Sequence, residues 1–324
     1  MINVRTDLAV EARELYKEQN KSDIDGVIVN EDDIGGTVVT TVKIVNEDGA
    51  EKMGKPIGTY ITLDIPEYTV YDGEVMDDVS KVLGVTLKKL ANIKENQTAL
   101  VVGLGNWKVT PDALGPKVAE KIMVTRHLKA VMPDAIDDSV IPVSSIAPGV
   151  LGVTGIETGE IVKSVVNKIK PDLVVCIDAL ASRKIDRVNK TIQISDAGIA
   201  PGAGVGNHRM KLNEETLGVK VIAIGVPTVV HAATVANDTV DLVLDSFIHQ
   251  AEEGKDFYNM LKNIDRNDKE ELIREVLEPF VGDLVVTPKD IDLMIDSLSK
   301  IIANGINIAL QPNMTMEDIN KFLN

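Results

Sequence analysis

Cysteine is almost missing: Cys176 is the only one in 324 residues. A single thiol forms no intrachain disulfide and no cysteine-based zinc site, and it points to a reducing compartment. Aromatic residues are scarce, at 3%, which leaves little for the base-stacking platforms of RNA-recognition domains. Bases fall short of acids, 34 against 50, for a net charge of −16. Phosphate binding draws on clustered Lys and Arg, so this balance argues against broad nucleic-acid binding. No apolar run of about 18 residues is present, so no membrane span is expected. The N-terminus carries Arg5, Asp7, Glu11, Arg13 and Glu14 where a signal peptide would be apolar. Gly-x-Ser-x-Gly, His-Glu-x-x-His and Walker-loop patterns are also missing. A soluble intracellular protein is expected.

What is present is ample core material. Hydrophobic residues make up 44% and charged residues 26%, a globular composition. Between Gly26 and Ile65 three β-rich runs, Gly26–Val29, Gly36–Ile44 and Thr59–Ile65, are bounded by Asp-Gly or Gly-Gly pairs. This predicts a small antiparallel layer. Val75, Val79, Val82, Leu83, Leu87, Leu90 and Ile93 then recur at helical spacing. Three continuous apolar runs follow, Ala99–Val102, Leu173–Ile177 and Val221–Ile224, separated by helical segments. Such runs mark buried parallel strands. A helix is expected near Thr110-Pro111, another over about Glu157–Lys168, and a last one after Thr287-Pro288 with Ile291, Met294, Ile295, Leu298, Ile301 and Ile302 as its stripe. The last part of the chain reads as helical packing without chemistry. One α/β domain over 1–324, with an antiparallel add-on over about 26–65, is expected; a split near Asn96 is the alternative.

Ligands of open α/β sheets sit beyond the carboxyl ends of the parallel strands. Past the first run stands Gly103-Leu104-Gly105-Asn106, then Trp107 through Thr110-Pro111-Asp112 to Gly115-Pro116. Lys108 stands where the dinucleotide fingerprint needs its third glycine, so nucleotide binding is a weak reading. Asp112 is expected in the first turn of a helix, where it either complements the helix dipole or faces the crevice. Past the second run stands Asp178; a charge at the end of a buried strand is paired or used. Arg183, Lys184 and Arg187 follow as candidate ion-pair partners. Thr191–Asp196 alternates like an exposed strand and leads into a glycine loop, Gly198–Asn207, that either covers the cleft or is ordinary surface. Cys176 reads as inert core. His231 lies past the third run and joins a metal site only in an alternative reading. Two carboxylates with no better nucleophile point to water-activating hydrolysis. Asn106 and Asp196 are candidates to support the pair or the substrate.

Gly103–Trp107 through Thr110–Pro116 resembles the signature of the bacterial germination protease, or spore protease, family. So do Ile177–Leu180, Arg187–Asn189 with Thr191–Ile194, Pro201–Asn207 and Ile224–Val230. The similarity covers roughly Val4 to Asp245. The segment up to Asp112, with Asp178, also resembles the hydrogenase maturation endopeptidases more distantly. The resemblance implies a three-layer α/β sandwich of phosphorylase/hydrolase-like type, with a mainly parallel central sheet and a small antiparallel layer. It implies a self-processing zymogen of the forespore cytoplasm that degrades small acid-soluble spore proteins in germination. It further implies an atypical aspartic endopeptidase, a homotetramer without cofactor, membrane or direct nucleic-acid partner. Asp112 and Asp178 match the family's two catalytic aspartates. Family substrates are cut after an acidic residue and before a bulky apolar one, with a second acid further on. Thr6-Asp7-Leu8-Ala9-Val10-Glu11 has that form, so self-cleavage between Asp7 and Leu8, with Met1–Asp7 as pro-segment, is expected. The plainer reading is a helix start with Thr6 as cap. A cation is expected to read the acidic residue; Arg126, Arg183, Lys184 and Arg209 are candidates by neighbourhood. The alternatives are a metal-dependent maturation-type peptidase using His231, or a non-catalytic α/β binding protein.

Overall fold

The computed structural model describes residues 6–20, 22–66, 69–94, 96–132, 134, 136–201, 210–250, 275–276 and 284–323. Nine strands form one sheet: β1 (Val27–Ile34), β2 (Thr37–Ile44), β3 (Gly58–Asp64), β4 (Ala99–Gly103), β5 (Val143–Ile146), β6 (Leu173–Ser182), β7 (Thr191–Ser195), β8 (Lys220–His231) and β9 (Val285–Val286). Their order is β1-β2-β3-β7-β8-β6-β4-β5, with β9 on β8. β5, β4, β6 and β8 run parallel. β1, β2, β3 and β7 pair antiparallel, and β7 joins β8 antiparallel. The antiparallel strands expected over 26–65 are thus the other half of the same sheet, joined through β3 and β7, and a short helix, Glu47–Met53, separates β2 from β3.

The apolar runs alternate between two covered faces, as a pleated strand requires. Val101, Val175, Ile177, Ile222 and Ile224 face one core with Leu83 and Leu87 of the helix Gly73–Ala91 and with Ile295, Leu298, Ile302 and Ile306 of the helix Ile291–Leu310. Leu100, Val102, Val174, Cys176 and Val221 face the other, under Val162 and Val166 of the helix Thr158–Ile169. Helices on both faces of one sheet make three layers. Among the described residues Ile291–Leu310 is the one helix long and apolar enough to cross a membrane; its apolar stripe is buried in this core.

β7 differs from the expected exposed strand: all five of its residues are buried. Ile192 and Ile194 face the first core. On the other side the N-terminal segment lies over Gln193, whose side chain holds it by two hydrogen bonds.

Candidate active site

Two glycines let the chain after β4 fold back onto the strand ends. Gly105 has φ +115°, and a Cβ there would stand 2.0 Å from the Asp112 carbonyl oxygen. A Cβ on Gly115 would stand 2.2 Å from the Leu104 oxygen and 2.6 Å from that of Ile177. The helix Leu114–Glu120 therefore begins directly on the end of β4 and the middle of β6. Asp112 does not lie in that helix. It closes a 3-10 turn, Thr110–Asp112, just before it. Its N–H donates to Val109 O (2.8 Å), and its own carbonyl accepts the Asn106 N–H (3.0 Å). Of the Gly-x-Gly pair, Gly105 thus makes room for the Asp112 backbone and Gly103 for that of Gly115.

Asp178 is the sixth residue of β6, opposite Gly225 of β8, and is 4% exposed. Its Oδ1 accepts the Ala179 N–H (3.0 Å). Asp112 and Asp178 line one cavity of about 320 Å³. Val109, Pro111, Val150, Leu180, Val229 and Val285 give it apolar walls, and Thr228 and Pro201 complete part of the rim. Asp178 also lines a second cavity, of about 180 Å³, with Asp7, Lys55, Tyr60 and Lys211. Burial, and then the field of Asp178, push the Cys176 thiol up, in keeping with its place in the core.

The other candidates lie elsewhere. The Asn106 side chain accepts the Lys108 N–H (3.0 Å) and shapes its own loop. Asp196 is exposed and accepts the Thr59 N–H (2.6 Å), holding β3 to the end of β7. Neither lines the two cavities, and nor does His231, the last residue of β8. No group of three or more His, Cys, Asp or Glu side chains fit to hold a metal occurs among the described residues. The part of the glycine loop over 202–209, with Arg209, lies outside the described residues, as do Met1–Arg5.

The N-terminal segment reaches the second cavity. The Asp7 N–H donates to Ala181 O (3.2 Å), and the Ala181 N–H donates to Asp7 Oδ2 (2.9 Å). Gln193 grips the main chain on both sides of the Asp7–Leu8 bond: its Nε2 donates to Asp7 O (3.1 Å), and its Oε1 accepts the Ala9 N–H (2.7 Å). Lys55 Nζ donates to Thr6 O (2.8 Å). Leu8 is fully buried among Val42, Ile44, Met53, Tyr60 and Leu180. Glu11, also fully buried, accepts the N–H groups of Arg183 (2.7 Å) and Lys184 (2.9 Å) and the Thr6 hydroxyl. Burial raises the Glu11 pKa, opposed by those bonds and by Arg187. Burial lowers that of Lys55, opposed by the charges of Asp7 and Glu11.

Arg183 and Lys184, considered as readers of an acidic side chain, and Arg187, considered with them as an ion-pair partner of Asp178, make ion pairs with other acids. Arg183 pairs with Asp238 (2.9 Å), Lys184 with Glu14 (2.8 Å), and Arg187 with Glu14 (2.8 Å) and Asp64 (3.3 Å). Arg126 is exposed and lines neither cavity. The cations that line the second cavity with Asp7 are Lys55 and Lys211, and neither carries a motif. Gln193 was visible in sequence only as a long polar residue inside a β-branched strand.

A family model described as germination protease matches residues 5–263 and 247–323. The germination protease of Clostridium perfringens strain 13 is 68% identical over 325 residues, covering all of both chains. That of Clostridium tetani is 62% identical, again over all of both chains. That of Bacillus subtilis is 42% identical over 97% of this chain and 95% of its own. Among solved structures, a [NiFe] hydrogenase maturation protease from Thermococcus kodakarensis aligns with 60% of this chain and 99% of its own, at 21% identity and a TM-score of 0.30. From the family model and these full-length relatives, the chain belongs to the germination protease family and is a protein-cleaving hydrolase.

Proposed function

We propose that this protease is an atypical aspartic endopeptidase in which Asp112 and Asp178 activate water. It is made as a self-processing zymogen in the forespore and degrades small acid-soluble spore proteins during germination. It cuts after an acidic residue and before a bulky apolar one, and its own Asp7–Leu8 bond is such a site. The observation that carries this reading is the shared cavity: both aspartates line it, Asp112 from the turn after β4 and Asp178 from midway along β6, one residue past the level at which β4 ends. One carboxylate, ionised, takes a proton from water as it attacks the peptide carbonyl. The other, protonated, donates to the leaving amine. The apolar walls limit competing water and strengthen the charges within. No cofactor is needed for these steps.

The seating of the N-terminus supports the self-processing reading, because Asp7 lines a cavity together with Asp178. Leu242, Val243 and Phe247 stand exposed on the helix Ala232–Gln250. They offer apolar surface to further copies in a homotetramer.

The test is a peptide of the sequence Arg-Thr-Asp-Leu-Ala-Val-Glu, incubated with the wild-type chain with and without a chelator. Cleavage after Asp, unchanged by the chelator, is expected. Loss of cleavage on chelation, restored by metal, would replace this reading with a metallopeptidase.

A further inference from the structure

Thr6–Glu11 fills a groove that reads it in two ways. The main chain is read without regard to sequence, by Gln193 on both sides of the Asp7–Leu8 bond and by Ala181 O on the Asp7 N–H. The side chains are read specifically. The Asp7 carboxylate accepts the Ala181 N–H, and the half-buried Lys55, whose ammonium donates to Thr6 O, lines the same cavity. Leu8 enters a closed apolar seat. The Glu11 carboxylate spans two successive N–H groups, of Arg183 and Lys184, with Arg187 Nε 3.9 Å away. Successive amides aimed at one anion make a built carboxylate site. The groove therefore holds two carboxylate sites four residues apart with an apolar seat between them, and its first site opens onto Asp178.

We propose that this groove receives the substrate: Lys55 selects the carboxylate before the cleaved bond, and the Arg183–Lys184 amides with Arg187 select a second carboxylate four residues later. The substrate enters by displacing the chain's own Thr6–Glu11. The cleavage part of this inference rests on the peptidase reading above; the binding part rests on the groove alone.

Binding is read by fluorescence anisotropy of the labelled peptide Arg-Thr-Asp-Leu-Ala-Val-Glu on the full chain carrying Asp112→Asn, which keeps the peptide whole. Replacing the peptide's Asp by Asn, or its Glu by Gln, is expected to weaken binding about tenfold or more. Adding Lys55→Met to the protein erases the preference at the first position and keeps it at the second; the retained preference reports an intact groove. Adding Glu11→Gln to the protein tightens peptide binding, because it loosens the competitor. The same change made in the peptide weakens it. Opposite signs mark one site with two occupants. The proposal is overturned if Lys55→Met keeps the full preference for Asp. It is overturned equally if Glu11→Gln weakens binding, or if the peptide does not bind even then. If this pattern holds while the wild-type chain cuts no peptide, the groove stands and the peptidase reading of it falls.

Discussion

The two halves of the sheet differ in what they leave uncovered. In the parallel half, β4 and most of β6 and β8 are buried on both faces. The two carboxylates proposed for the chemistry stand where β4 runs out: Asp112 in the turn after it, and Asp178 on the neighbouring strand, midway along β6. In the antiparallel half, β1 is largely exposed, and β2 and β3 present to the N-terminal segment a face carrying Val42, Ile44 and Tyr60. Double burial gives a rigid frame, which suits chemistry that needs fixed carboxylates. A face left free accepts a peptide-like segment. On the proposed reading the chemistry belongs to the parallel half, while recognition is shared between Gln193 with the apolar face of the antiparallel half and the end of β6 with the residues after it; Asp178 lines both cavities.

The largest expected effect breaks the chemical half alone. Asp112→Asn and Asp178→Asn should each lower peptide cleavage by about 10²–10⁴-fold, in chains whose thermal unfolding stays close to wild type. Equal loss of activity and fold in both would mean they are structural.

Gly105→Ala should strike the same half through its backbone. With φ at +115° and the Asp112 oxygen 2.0 Å from the new Cβ, it should cost roughly 2–4 kcal/mol and displace Asp112. Chemical denaturation and kcat should fall together. Leu298→Ala separates the two: Leu298 is fully buried in the core on the helix Ile291–Leu310 and lines neither cavity. It should cost about 2–5 kcal/mol, with kcat of the folded chain unchanged.

Gln193→Ala should loosen the recognition half. Hydrogen exchange at the Ala9 amide, which Gln193 Oε1 accepts, should quicken roughly fivefold to tenfold, for a loss of about 1 kcal/mol. The smallest effect concerns pH. The folded pKa of Glu11 is raised, burial being the largest cause. Its contribution to stability is therefore fully present below the ordinary glutamate range and is lost as pH rises through the raised value. The stability of wild type relative to Glu11→Gln should increase as pH falls through that window. A flat difference between the two would contradict the burial of that carboxylate.

Much of the frame was legible because periodicity is local. The stripe from Val75 to Ile93 appears as the helix Gly73–Ala91, and that from Ile291 to Ile302 as the start of Ile291–Leu310. The three apolar runs appear as β4 and as the first parts of β6 and β8, which continue past Asp178 to Ser182 and past Gly225 to His231. Asp112 and Asp178 stood out because each follows such a run. The turn holding Asp112 was less legible. Thr110-Pro111 signals a helix start, but the contact of Gly115 with Leu104 and Ile177 sets the helix at Leu114. β7 read as exposed because nothing local says that residues 6–9 lie across it. Lys55 is invisible for the same reason. It follows the left-handed cap Gly54 and reaches the cavity it shares with Asp7 only through folding.

The most direct measurement is intact mass over time at mildly acidic pH, on wild type and on Asp112→Asn and Asp178→Asn. Loss of Met1–Asp7 from wild type, and from neither variant, is the expected result. Release of that same segment by both variants at the wild-type rate would contradict the carboxylate pair as the source of the chemistry.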